Sequence, residues 1–174
     1  RLQQLVATSL RYFDLAGREQ LPAQGFCQPM WILDRLVTDY AATLKDKKLK
    51  VLNRVPADLT VLACERELSE VLLMLLDNAL RVSPEGGEVL LSADVADGEA
   101  VIRLCDQGRG IPRDNLEGIF QPFFMVGSGH HADGFGLSLP MARVMIRQMS
   151  GDVWAESAGP GKGACLCIRL PTEA

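Results

Sequence analysis

Three short stretches carry residue types that could do chemistry. In "LCDQGRGIPRDN", residues 104–115, Asp106 is followed by Gly108 and Gly110. Glycines tolerate positive φ and let a backbone come close to another group. A carboxylate beside them can accept a hydrogen bond from an exocyclic amine. In "LLDNALRVSP", residues 75–84, Asn78 and Arg81 stand three apart, on one face of a helix. An amide oxygen is a hard ligand suited to Mg²⁺, and a guanidinium suits phosphate. In "GFGLSL", residues 134–139, Gly134 and Gly136 precede a helical pattern, and a helix N-terminus can receive phosphate. Each stretch also has a plain reading: a helix meeting water, a tight turn, a helix start. None is a Walker loop, because no Gly-Lys-Ser/Thr follows, and no parallel-sheet unit makes a Rossmann fingerprint.

The elements that must position these residues read as follows. Leu2, Leu5, Val6, Leu10 and Phe13 fall at helical spacing, and "AGREQLPAQG" then breaks the pattern. The apolar stripe of this helix stub is expected to pack on something outside the chain or on a second copy. A second helix is expected from Pro29 to about Lys45. "KLKVLNRV" and "DLTVLAC" read as strands. "ERELSEVLLMLLDNALRVS" is the strongest helix, so densely apolar that most of its circumference must be buried. "EVLLSADV" and "EAVIRLC" form an antiparallel hairpin around "ADG". "FGLSLPMARVMIRQMS" is a further helix, expected to be disturbed near Pro140. "GDVWAESA" and "ACLCIRLP" close the chain around the turn "GPGKG". This order implies an α/β two-layer sandwich, a mixed and mainly antiparallel sheet with helices on one face.

The 174 residues suffice for one domain with a real core. With 48% apolar and 23% charged residues the chain reads as globular, and its net charge of −4 argues against nucleic acid as a partner. No apolar run reaches the ~18 residues that span a bilayer. The sequence starts without Met and shows no signal-peptide pattern, so it is expected to be a fragment of a longer protein. The five cysteines, Cys27, Cys64, Cys105, Cys165 and Cys167, contain no C-x-x-C pair. Four of them lie in apolar or strand-like surroundings and read as small buried hydrophobes, which suits a reducing compartment with neither a disulfide framework nor a zinc site.

The order and spacing of these motifs resemble the ATP-binding catalytic domain of sensor histidine kinases, within an ATPase superfamily shared with DNA gyrase, the Hsp90 chaperone and MutL. The resemblance covers residues 26 to 171. "LLDNALRVSP" resembles the asparagine box, "DQGRGIP" and "GFGLSLPMARVMIRQMSGDVWAES" the two glycine boxes, and "IFQPFF" the phenylalanine box. It implies a Bergerat ATP-binding fold with ATP and Mg²⁺ as cofactors. By the resemblance, residues 1–20 are the end of a dimerisation helix with its linker, and residues 21–174 the catalytic domain. Asp106 would bind the adenine amine, with Gly108 and Gly110 along the base and Ile111 in the same ATP site. Asn78 would hold Mg²⁺, and Arg81 would reach phosphate. Phe120, Gly134, Gly136, Leu137 and Gly163 complete the implied ATP site, and residues 120–133 form a lid. No catalytic residue is assigned within the chain.

The phospho-acceptor histidine is expected on an upstream dimerisation domain of a homodimeric parent, and a response regulator receives the phosphoryl group. The parent is expected in the bacterial inner membrane with this domain in the cytoplasm. His130 and His131 lack the context of an acceptor and read as solvated lid residues or a partial substitute for a lid cation. Four features depart from the family pattern. Met74 replaces a second asparagine, Val82 an aromatic, and Ala164 a small hydroxyl residue, while "QPFFMVGSGHHAD" carries no Lys or Arg. Together they predict weak nucleotide affinity or slow transfer. They also support a rival reading, a degenerate regulatory module acting through partner contacts. Other superfamily members, such as a protein-serine kinase acting on an anti-sigma antagonist, are a third class.

Overall fold

The computed structural model describes residues 2–18, 25–125 and 135–173. Its elements run α1 (Leu2–Gly17), β1 (Gly25–Cys27), α2 (Pro29–Asp39), α3 (Ala41–Asp46), β2 (Lys50–Arg54), β3 (Val61–Ala63), α4 (Glu65–Val82), β4 (Glu88–Ala96), β5 (Glu99–Asp106), α5 (Ser138–Gln148), β6 (Asp152–Glu156) and β7 (Ala164–Pro171). Two 3₁₀ turns, Arg113–Asn115 and Gly118–Phe120, lie between β5 and α5. The main sheet has the order β2-β4-β5-β7-β6. Only the β2–β4 pair is parallel, so the sheet is mixed and mainly antiparallel.

α4 is the spine of the helical layer. Leu68, Val71, Leu72, Leu75, Leu76, Ala79 and Leu80 are buried at three- and four-residue spacing. Glu65 and Glu67 in its first turn and Arg81 in its last complement the helix dipole. The helix stops at Ser83, which the following Pro84 holds extended at ψ 137°. The opposing sheet face contributes Val89, Leu91, Ile102, Leu104, Leu166 and Ile168 to one continuous core. Successive strand residues alternate between faces, so Leu90, Ser92, Arg103, Cys105, Cys165 and Trp154 share the other, helix-free face. The β4–β5 hairpin turns through Asp97 and Gly98, at φ 53° and 76°, as a two-residue turn of this kind requires.

The structure departs from the sequence reading in four places. The helix expected from Pro29 to Lys45 is broken at Tyr40, where the chain sits at φ −88° and ψ 7°. The Thr38 hydroxyl donates to the Asp34 carbonyl at 2.9 Å, a back-bond that bends helices. After the break the Tyr40 hydroxyl reaches Asp77 at 3.0 Å, and the Lys47 ammonium reaches the Leu80 carbonyl at 3.0 Å. Pro140 does not disturb α5, because the helix begins at Ser138 and Pro140 lies in its first turn, where the N–H is not needed. A small sheet, β1–β3, was not expected. Finally, Cys105 and Cys165 form a disulfide. A search for C-x-x-C spacing is blind to it, because the two residues meet only through the β5–β7 register. Cys27, Cys64 and Cys167 are thiols.

The stub helix α1 packs its C-terminal end on α5. Leu15 is buried, and the Gln148 amide donates to the carbonyls of Leu15 at 2.7 Å and Arg18 at 2.9 Å. Leu2, Val6, Leu10 and Phe13 remain exposed, as the sequence reading expects of a stripe with no partner in the chain.

Candidate functional site

Asp106 is the last residue of β5 and is paired in register with Ala164. Its side chain points to the helical layer and is only 8% exposed, one of two buried polar residues in the described chain. Its Oδ1 accepts the Gly108 N–H at 2.8 Å. Burial pushes this carboxyl above the ordinary carboxylate range. The N–H groups of Gly108, Ala164 and Asp106 itself pull it back without cancelling the rise.

Two glycine turns fold against each other beside this carboxylate. The Gly163 N–H donates to the Gly108 carbonyl at 3.1 Å, and the Gly161 N–H to the Arg109 carbonyl at 2.7 Å. Gly110 and Gly163 both sit at φ 68°. A β-carbon on Gly110 would collide with the Gly159 carbonyl, and one on Gly163 with the Asp106 carbonyl. On Gly108 it would lie 2.5 Å from the Val82 carbonyl, at the end of α4. These glycines therefore have an internal reason: they let the chain approach itself.

Ser157 organises the same turns and escaped the sequence reading. Its hydroxyl donates to the Gly163 carbonyl at 2.7 Å and accepts the N–H groups of Ile111 at 3.1 Å and Gly159 at 3.2 Å. The available signal was a serine two residues before a glycine, a common turn former. Ile111 is half-buried and packs on the core.

α4 brings Asn78 to this place, since Val82, one turn on, touches Gly108. Asn78 is half-buried. Arg81 forms an ion pair with Asp77, one turn back, and Asp77 also accepts the Tyr40 hydroxyl. Met74, one turn before Asn78, is half-buried against the core.

Phe120 and Leu137 are core residues, 7% and 1% exposed. The Arg143 guanidinium lies 4.8 Å from the centre of the Phe120 ring. The same guanidinium pairs with Glu117 and, at 3.3 Å, with Asp152. Gly136, at φ 67°, accepts the Phe123 N–H at 2.9 Å. Gly134, His130 and His131, and with them residues 126–133 of the expected lid, lie outside the described residues.

The donor set differs at the two ends of this arrangement. A buried carboxylate at a strand end, walled by backbone, suits a neutral hydrogen-bond donor such as an exocyclic amine. The α4 end offers one amide oxygen for a hard cation, because Met74 has none. No group of three or more acidic, His or Cys side chains arranged for a metal occurs among the described residues. A cavity of about 340 Å³ between Phe26, Trp31, Arg35 and Glu65 lies apart from all these residues.

Residues 63–174 match the family described as "Histidine kinase-, DNA gyrase B-, and HSP90-like ATPase". Among curated relatives, the adaptive-response sensory kinase SasA of Crocosphaera subtropica is 36% identical over 138 residues, 78% of this chain and 36% of that protein. The sensor histidine kinase WalK of Bacillus subtilis is 33% identical over 141 residues, 78% of this chain and 23% of WalK. The chain thus spans 23% to 36% of the length of these relatives. Among solved structures, full-length ShkA in complex with AMPPNP superposes with a TM-score of 0.85 at 25% identity, covering 99% of this chain and 36% of ShkA. The mycobacterial sensor histidine kinase MprB does so with a TM-score of 0.76 at 25% identity, covering 87% of this chain and 99% of that chain.

Proposed function

The chain belongs to the histidine kinase-, DNA gyrase B- and HSP90-like ATPase family, and from that premise we propose that it is the ATP-binding catalytic domain of a two-component sensor histidine kinase. The observation that carries this reading is the buried Asp106 carboxylate, fixed by the Gly108 N–H between two facing glycine turns. ATP supplies the phosphoryl group, and Mg²⁺ neutralises phosphate charge. The chain's own part is positioning. Asp106 accepts the adenine amine, and Gly108, Gly110 and Ile111 wall the base. Asn78 offers its amide oxygen to Mg²⁺. The N-terminus of α5, which follows Gly136 and Leu137, faces the phosphates with its positive dipole end, and Gly134 belongs to the same ATP site by the family resemblance. Arg81, which pairs with Asp77 through one guanidinium nitrogen, is the cation that reaches phosphate. Phe120 and Gly163 act indirectly, by fixing the lid base and the glycine turns.

Residues 1–20 then belong to a dimerisation region, whose acceptor histidine lies upstream in a homodimeric parent, and residues 21–174 to the catalytic domain. A response-regulator receiver takes the phosphoryl group onward. No helix among the described residues is long and apolar enough to cross a membrane. A bacterial inner-membrane parent with this domain in the cytoplasm is part of the proposal. The exposed apolar stripe of α1 supports the dimerisation element.

A second reading, a regulatory module with weak or no catalysis, is favoured by Met74 packing into the core and by Arg81 being held by Asp77. Calorimetry with a non-hydrolysable ATP analogue, with and without Mg²⁺, separates the two. The kinase reading expects binding that Asp106→Asn weakens under both conditions and Asn78→Ala weakens only with Mg²⁺. No heat at millimolar nucleotide with a folded protein sinks it in favour of the regulatory module.

A further inference from the structure

The disulfide occupies a position that links it to the pocket. Cys105 and Cys165 face each other across β5 and β7, with α-carbons 4.0 Å apart. The next pair along the ladder is Asp106 and Ala164, the last before both strands open into the facing glycine turns. Neighbouring strand residues point to opposite faces. The sulfurs therefore sit on the helix-free face, directly behind the carboxylate that points to the helical layer. Both cysteines are half-buried rather than enclosed in the core.

We propose that Cys105 and Cys165 form a reversible thiol–disulfide site that sets how firmly the Asp106 end of the pocket is closed, a role whose functional half rests on the nucleotide reading above. Ladder ends fray before ladder centres. The sulfur bridge pins the penultimate pair, where fraying would separate Asp106 from Ala164 and loosen Gly163 from Gly108. Reduction does not part the strands, because six further pairs, Glu99↔Pro171 through Leu104↔Leu166, continue the ladder. The thiols thus stay opposite each other and can close again.

The exchange partner is a dithiol or a small-molecule disulfide. A reagent thiolate attacks one sulfur, and the other cysteine leaves as a thiolate and takes a proton. The second reagent thiol resolves the mixed disulfide, so two electrons and two protons pass to the protein. The reverse exchange re-forms the bridge. Competition from within the chain is low. Burial holds the Cys167 thiol up at about 12 and the Cys27 thiol up at about 11, and Cys64 is also raised, so none supplies much thiolate.

The test equilibrates the 174-residue chain in glutathione buffers from reducing to oxidising, followed by denaturing alkylation and mass analysis. Three labels report the bridged form and five the open form. Hydrogen–deuterium exchange then compares residues 105–111 and 157–165 in the two forms, and calorimetry compares their affinity for the ATP analogue. The proposal expects reversible interconversion, faster exchange in both segments on reduction, and affinity weaker by about three- to tenfold. The double variant Cys105→Ser/Cys165→Ser should behave as the reduced form under all buffers, and Cys167→Ser as the parent. A bridge that never forms, or identical exchange and affinity in the two forms, overturns it. If neither form binds nucleotide, the kinase reading fails while the exchange data still decide the clasp.

Discussion

The Phe123 N–H donates to the Gly136 carbonyl at 2.9 Å, so the two ends of the segment between them are tied together at its base. Gly136 stands at φ 67°, and a β-carbon there would lie 2.8 Å from the Phe124 carbonyl oxygen. Gly136→Ala therefore meets both a backbone penalty and a collision. We expect a loss of about 2 kcal/mol or more, read from urea unfolding.

The facing glycine turns allow a matched comparison. Gly163 and Gly161 both have positive φ, but only at Gly163 would a β-carbon meet a neighbour, the Asp106 carbonyl; a β-carbon on Gly161 would have nothing within 4 Å. Gly161→Ala should cost about 1 kcal/mol, the conformational part alone. Gly163→Ala should cost clearly more and should also loosen nucleotide binding. Equal losses in urea melts would refute the collision.

Asp106 makes stability depend on pH with a definite sign. Its carboxyl keeps its proton to higher pH in the folded chain than the ordinary 3.8. The folded state binds more protons across the window from 3.8 up to the raised value, and its stability falls as pH rises through that window. Asp106→Asn should remove this fall and leave the ligand-free chain at least as stable at neutral pH. It should also weaken adenine-nucleotide binding by about tenfold or more. Asp152 has the opposite sign. Burial raises its carboxyl, but Arg147, the Val153 N–H and Arg143 outweigh that and hold it below 3.8. Its contribution is lost as pH falls through the lowered value. Unfolding series in acid on D106N and D152N check both signs.

Arg143 joins three elements: Glu117 before the second 3₁₀ turn, the Phe120 ring within it, and Asp152 at the start of β6. Its side chain is 13% exposed. Arg143→Ala should lower stability by about 1–3 kcal/mol, measured by thermal or urea melts. Arg143→Lys should recover only part of this, because an ammonium cannot serve both carboxylates and lie flat on the ring.

What the sequence revealed and what it hid follow from the range of the forces involved. α4 was legible because its apolar residues recur at a local period, and the β4–β5 hairpin because Asp97-Gly98 turns the chain by itself. Asp106 was legible as the carboxylate at a strand end before two glycines. The break at Tyr40 was not, because the Thr38 back-bond leaves the apolar period intact and the contact Tyr40 makes, with Asp77, lies on another helix. β1 has three residues, too few for any period to show. Ser157 acts on Ile111, 46 residues away, and the Cys105–Cys165 bridge needs a strand register spanning 60 residues. Interactions of that separation leave no mark on composition or spacing.

The glycines at 108, 110 and 163 touch other parts of this chain. A descendant that had lost all use for nucleotide would still need them to fold. Natural selection would keep the glycine signature after the activity had gone, while Asp106, whose burial in charged form is unfavourable, would be free to drift to an uncharged residue. Among relatives, the side chain at position 106 is therefore a better sign of a living enzyme than the glycines beside it.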